Sequence, residues 1–202
     1  MISRKEKEYA LKKEWIADTA CRLFQEHSFD SVTVAEIARK AEFGKGTLYQ
    51  YFRSKEEILV HVICQGFNKL GNDLDEARSE SNDPTLMLEQ FIELQYQFDL
   101  DYQSLFLAMY RHIMDGALSE QVLHTIGEYH QLKHQRFISL LEWGQNEGRF
   151  ILRDTEELAR AIENTVKGFS LGNLEQDGGD LEKSRDLTSL KHVLLSAVLQ
   201  KA

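Results

Sequence analysis

The chain has 202 residues, 42% of them hydrophobic, enough for a core that needs no staples; its two cysteines, Cys21 and Cys64, are too few for a disulfide-framed secreted domain. A single proline, Pro84, and an abundance of Leu, Glu, Ala, Lys and Gln exclude a sheet-rich fold and predict an all-α one. The net charge of −9 argues against a nucleic-acid partner until its distribution is read: residues 1–55 carry 11 Lys/Arg against 8 Asp/Glu, a net of +3, leaving 13 against 25, or −12, for the remainder.

The first thirty residues hold Arg4, Lys5, Lys7, Lys12 and Lys13 but no apolar run, and no segment reaches the roughly 20 apolar residues of a membrane span, so a soluble, unprocessed, cytoplasmic protein is expected. A first helix is predicted from about Lys5 to His27, with Ile16, Ala20, Leu23 and Phe24 on one apolar stripe. Thr33 and Glu36 have capping-box spacing and open a second helix whose apolar face is Val34, Ile37, Ala38 and Ala41. After a turn at Glu42-Phe43-Gly44, a third short helix spans Lys45 to Tyr51, and Ser54 with Glu57 opens a long fourth helix running through Ile58, Val62 and Phe67 toward Ala77. Asp83-Pro84 is the next helix start. Further helices are expected over Pro84–Asp99, Tyr102–Asp115, Ser119–Gln145, Thr155–Asn173 and Lys183–Gln200, within about 2–4 residues.

Three short helices, the last two joined by a tight turn, make a helix-turn-helix, whose final helix enters the major groove. Leu48 and Phe52, four apart, would anchor that helix, leaving Lys45, Gly46, Thr47, Tyr49 and Gln50 outward. Lys and Gln can bond base edges, Thr can touch a thymine methyl, Tyr can reach phosphate, and glycine permits close backbone approach. The bland alternative is that Tyr49, Tyr51 and Phe52 are aromatic packing in a small helical domain.

The string Ile16-x3-Ala20-x2-Leu23-Phe24, then Thr33-Val34-x2-Ile37-Ala38, then Lys45-Gly46-Thr47-Leu48-Tyr49-x-Tyr51-Phe52-x-Ser54-Lys55-Glu56-Glu57 resembles, in order and spacing, the DNA-binding domain of TetR-family regulators. The resemblance covers about the first quarter of the chain. It implies a DNA-binding domain over residues 1–55 and a helical ligand-sensing and dimerisation domain over 56–202. It further implies that Lys45, Gly46, Thr47, Tyr49, Gln50 and Tyr51 contact groove and backbone, and that Thr33 and Lys55 hold phosphates at helix starts. Ser28 and Glu42 stand where glycine is common in the family, which predicts positive φ at those turns, and Gly44 takes the usual Ser or Thr cap position.

In the second domain, aromatics gather between residues 91 and 112. Phe67, Phe91, Phe98, Tyr102, Phe106, Met109 and Tyr110 are candidate walls of a pocket for a lipophilic small molecule. Phe91, Phe98, Leu105 and His112 also recur every seven residues, as core positions do, and both readings stay open. His130 and His134, with His124, are too sparse for a closed metal site, their segment reads as polar and solvated, and neither metal nor cofactor is expected. Both cysteines lie in apolar stretches where a thiol is inert. Leu158, Ile162, Thr165, Gly168, Phe169 and Gly172 line one face of the penultimate helix, and Leu187, Leu190, Leu194, Ala197 and Val198 line the last. Two such pairs could form an intermolecular four-helix bundle, or both stripes could bury inside one chain.

The expected function is a homodimeric, ligand-responsive regulator, a repressor released from a palindromic operator by a small lipophilic molecule. The alternative is a constitutive helical DNA-binding or interaction protein that ignores small molecules. Neither a Gly-rich phosphate loop nor a credible nucleophile and base arrangement points to an enzyme.

Overall fold

The computed structural model describes residues 3–172 and 180–200, with side chains described for 3–171 and 186–200. Its helices are α1 (Arg4–Glu26), α2 (Val34–Lys40), α3 (Lys45–Leu48), α4 (Lys55–Glu80), α5 (Pro84–Asp101), α6 (Gln103–Met114), α7 (Glu120–Asn146), α8 (Thr155–Gly172) and α9 (Asp180–Val198). The all-α expectation holds: among the described residues the extended pairing is one isolated antiparallel bridge, Phe150 with Leu199. It ties the turn after α7 to the end of α9, with Ile151 N–H donating to Val198 O and Gln200 N–H to Arg149 O, each at 2.9 Å.

Helix starts follow local chemistry. Thr33 Oγ accepts from Glu36 N–H at 3.2 Å, but the expected return bond from the Glu36 side chain is not formed. Ser54 Oγ accepts from Glu57 N–H at 3.1 Å, while the Glu57 carboxylate reaches one residue further back, to Arg53 N–H at 2.7 Å. A complete capping box stands at Ser3 and Glu6, where it was not anticipated. Asp83 accepts from Thr85 N–H at 2.8 Å ahead of Pro84, and Asp154 from Glu157 N–H at 2.9 Å ahead of α8.

The chain divides into two compact units, Met1–Gly66 with Tyr102–Gly127, and Phe67–Asp101 with Glu128–Ala202. The unit that holds the helix-turn-helix thus runs on past residue 55 to Gly66 and takes in α6. Its core is the α1 stripe of Ile16, Ala20, Leu23 and Phe24 against Ile37 and Ala38 of α2, Leu48, Phe52, and Ile58, Leu59, Val62 and Ile63 of α4. α6 packs on α1, burying Leu105, Ala108 and Met109. In the second unit α5 packs on α8 and α9, and α8 on α9. Phe91 lies flat on Phe137, centroids 3.7 Å apart and planes 2° from parallel.

Candidate functional site

The turn between α2 and α3 sets where the recognition helix points. α2 ends in a Schellman arrangement: Phe43 N–H donates to Ala38 O at 2.8 Å and Glu42 N–H to Arg39 O at 3.3 Å, with Glu42 at φ 63°. The positive φ expected at Glu42 is present; Ser28 does not share it. Gly44 is the N-cap of α3 and supplies no side-chain bond.

α3 is shorter than expected, one α-helical turn, after which the chain tightens: Gln50 N–H donates to Thr47 O at 3.0 Å and Tyr51 N–H to Leu48 O at 2.9 Å. This tightening seats the last residues of the motif. Phe52 drops into the core, and Tyr51 stacks on Tyr9 of α1 at 4.7 Å, while the Tyr9 hydroxyl donates to Gln50 O at 3.1 Å. With Leu48 and Phe52 fully buried, Lys45, Gly46, Tyr49 and Gln50 are exposed, Tyr49 by 46%, and Thr47 and Tyr51 are half-buried. A Cβ on Gly46 would meet nothing within 4 Å, so the face is open beside the backbone there.

Two residues hold this arrangement in ways the pattern did not reveal. Trp15 Nε1 donates to Ala41 O at 3.2 Å, tying α1 to the end of α2. Lys55 turns its ammonium inward, donating to Phe29 O and Val32 O at 2.9 Å each and lying 4.3 Å from the Phe29 ring centroid. It thereby closes the turn that presents Thr33, which is exposed at the start of α2. The signal for Lys55 was weak, because a lysine at a helix start reads equally well as solvated.

The seven candidate pocket residues fall in both units. Tyr102, Phe106, Met109 and Tyr110 belong to the first: Met109 is buried, Tyr110 exposed, and Tyr102 and Phe106 half-buried. Phe67, Phe91 and Phe98 belong to the second and are buried; Phe67 packs on Phe98 at 5.2 Å. Phe91 also lines a cleft of about 360 Å³ between α4, α5 and α7.

The segment around His130 and His134 is not solvated on its inner side. Lys133 and His134 are buried, with Lys133 Nζ 2.9 Å from Glu163 Oε1 and 3.0 Å from Gln95 Oε1, and the two ring nitrogens of His134 at 2.7 Å from Glu163 and 3.1 Å from Glu156. The spacing that puts Lys133, His134 and Phe137 on one face of α7 was present in the sequence, but polar residue types masked it. Gln95 also donates to Asp99 at 2.9 Å, and burial pushes the Asp99 carboxyl up to about 6. Burial likewise pushes the Cys64 thiol up to about 11, consistent with an inert cysteine.

On α8 and α9 the candidate interface residues divide by direction. Ile162, Leu190, Leu194 and Val198 are buried within their own unit; Leu158 and Phe169 are half-buried; Thr165, Gly168 and Ala197 are exposed. Gly172 closes α8, and its surroundings lie outside the described residues, as does Asn173. Leu171 and Val193, which the stripes did not include, are exposed apolar residues on the same two helices.

Three helices around one core, the last a short helix held by two buried anchors with polar residues turned outward, define a helix-turn-helix DNA-binding protein. Residues 16–62 match the family model of bacterial regulatory proteins, tetR family, so the DNA-binding part of the chain is of the tetR type. It is 26% identical over 176 residues to the HTH-type dhaKLM operon transcriptional activator DhaS of Lactococcus lactis, covering 83% of this chain and 87% of that protein. It is 31% identical over 98 residues to IcaR of Staphylococcus aureus, the negative transcriptional regulator of the biofilm operon icaADBC, of which it spans only 51%, with 48% of this chain matched. In fold it is similar to a transcriptional regulator from Saccharomonospora viridis solved in complex with choline, TM-score 0.79 and 18% identity, covering 95% of this chain and all of that one. The TetR-family regulator PfmR of Thermus thermophilus is also similar, TM-score 0.69 and 22% identity, covering 90% and 97%.

Proposed function

We propose that this regulator is a homodimeric repressor released from a palindromic operator by a small molecule. The observation that carries the reading is the exposed face of Lys45, Gly46, Tyr49 and Gln50 held outward by buried Leu48 and Phe52. In a two-fold dimer the two recognition helices would sit about 34–36 Å apart, in successive major grooves. Lys45 and Gln50 read base edges, Tyr49, Tyr51 and Thr33 meet phosphate, Thr47 meets a methyl, and Gly46 lets the backbone approach. Lys55 serves that interface by fixing the turn before α2 as well as by its charge.

The dimer forms through the outward sides of α8 and α9, where Thr165, Gly168, Leu171, Val193 and Ala197 are available and the buried stripe is not. Repression needs nothing beyond occupancy of a promoter, which the DNA-binding face supplies. Release follows if a ligand favours a state whose recognition helices are spaced differently; α4 and α7 each begin in the first unit and end in the second, which makes them the covalent route for such coupling. No described helix is long and apolar enough to cross a membrane, and the protein works where the DNA is, in the cytoplasm.

Selection of genomic fragments by the purified protein at fixed moderate salt is expected to enrich a palindrome of two half-sites. No enrichment would overturn DNA recognition, and a solution mass of one chain at micromolar concentration would overturn the dimer. Expression from the adjoining promoter is expected to rise when the protein is removed; a fall would mean activation, the mode named for DhaS.

A further inference from the structure

We infer that the cleft between α4, α5 and α7 takes a small amphiphile with an anionic head, a carboxylate or a phosphate ester, and that Arg136 and Arg78 receive the head. The inference rests on the ligand-responsive reading above and names the class of ligand.

At about 360 Å³ the cleft has the size of a small-molecule site. Its floor is apolar: Leu74, Met87 and Phe91 are buried, and Phe91 is held flat against Phe137. The rim carries charge. The Arg78 guanidinium lies 3.7 Å from the Trp143 ring centroid, and its Nη1 donates to Ser81 O at 3.0 Å, so the cation is fixed at the cleft. Arg136 lies across the backbone of Gly71, where a Cβ would come within 1.7 Å of its Nη1. Its Nη2 is 3.2 Å from Asp75, the one carboxylate among the residues lining the cleft, itself largely exposed at 62%.

Two guanidiniums against one solvated carboxylate leave the rim positive, in a stretch of chain whose net charge is −12. Arg136, Ser139, Leu140 and Trp143 sit at helical spacing on one side of α7, and Asp75 and Arg78 lie three apart on α4, so charge and apolar surface converge by register. A planar fork above an apolar floor matches a carboxylate or phosphate on an apolar body, through charge-assisted bonds in a site part-shielded from water. An alcohol would accept without the charge assistance an anion gains, and a cationic head would meet two like charges.

Calorimetry on the full chain with octanoate, octyl phosphate, octan-1-ol and octyltrimethylammonium tests this. At least one anion is expected to bind about tenfold or more tighter than the alcohol, and the cation not at all; the tighter anion identifies the source of the charge. Arg136→Gln is expected to bring anion affinity down to that of the alcohol. Gly71→Ala should do the same while keeping every charge, because the new methyl group displaces only the flexible end of Arg136, and a thermal melt checks that it folds. Equal binding of alcohol or cation, no binding of either anion, or unchanged anion affinity in both variants would overturn the proposal. Operator affinity measured in the same samples separates the two claims: anion binding without operator release rejects ligand-driven release and leaves the site standing, whereas intact operator binding without anion binding rejects the site alone.

Discussion

Glu42 holds a backbone conformation that favours glycine, φ 63° at the C-terminal end of α2, in a turn whose two closing bonds require it. Replacing it by glycine removes the left-handed strain, and Glu42→Gly is expected to raise stability by about 1 kcal/mol in urea unfolding, with operator affinity retained. Lys55 presents the opposite case. Its ammonium satisfies the carbonyls of Phe29 and Val32, so Lys55→Met should strand them and lower stability by about 1–3 kcal/mol, whereas loss of a phosphate contact alone would leave the unfolding midpoint unchanged. Glu42 was legible in the sequence because a family glycine was missing from a turn; Ser28 gave the same signal, yet no positive φ followed. Trp15 and Tyr9 were not legible, because their partners, Ala41 O and Gln50 O, are backbone atoms that leave no mark in side-chain spacing.

Element starts and faces were readable to different degrees. Thr33, Ser54, Asp83 and Asp154 announced their helices, since a capping oxygen works within three residues of sequence. The length of α3 was not announced: its tight end depends on Tyr51 reaching Tyr9, 42 positions away. On α8 and α9 the apolar stripes were plain, but a stripe does not say whether it faces its own unit or another chain. Ile162, Leu190, Leu194 and Val198 are buried in the single chain. The proposed dimer therefore depends on residues the stripes undervalued. Val193→Glu, at a side chain 58% exposed, should cost the single chain under about 0.5 kcal/mol yet dissociate the dimer in sedimentation, while a dimer that persists would place the interface elsewhere.

Over the whole molecule, two titrating groups, half-buried His61 and buried Asp99, oppose one another. Burial, aided by the charge of Lys13, pulls His61 down to about 4 from 6.5, so the unfolded chain binds the extra proton between those values and stability contributed by His61 falls as pH drops through that window. Asp99, raised to about 6 from 3.8, works the other way: between those values the unfolded chain has released its proton first, and stability falls as pH rises. Melts from pH 4 to 7 should therefore show His61→Gln losing part of the rise toward neutral pH and Asp99→Asn gaining steepness in it. The charge asymmetry, +3 in residues 1–55 against −12 beyond, was the sequence feature that read most directly into function, because it marks the end that tolerates phosphate. The most direct test of the account is the affinity of the Lys45→Ala/Tyr49→Ala double variant for the selected operator at fixed salt, measured beside its unfolding midpoint. Both side chains are exposed, so the account expects affinity to fall by about tenfold or more with the midpoint unchanged. Undiminished affinity in a folded variant would contradict it.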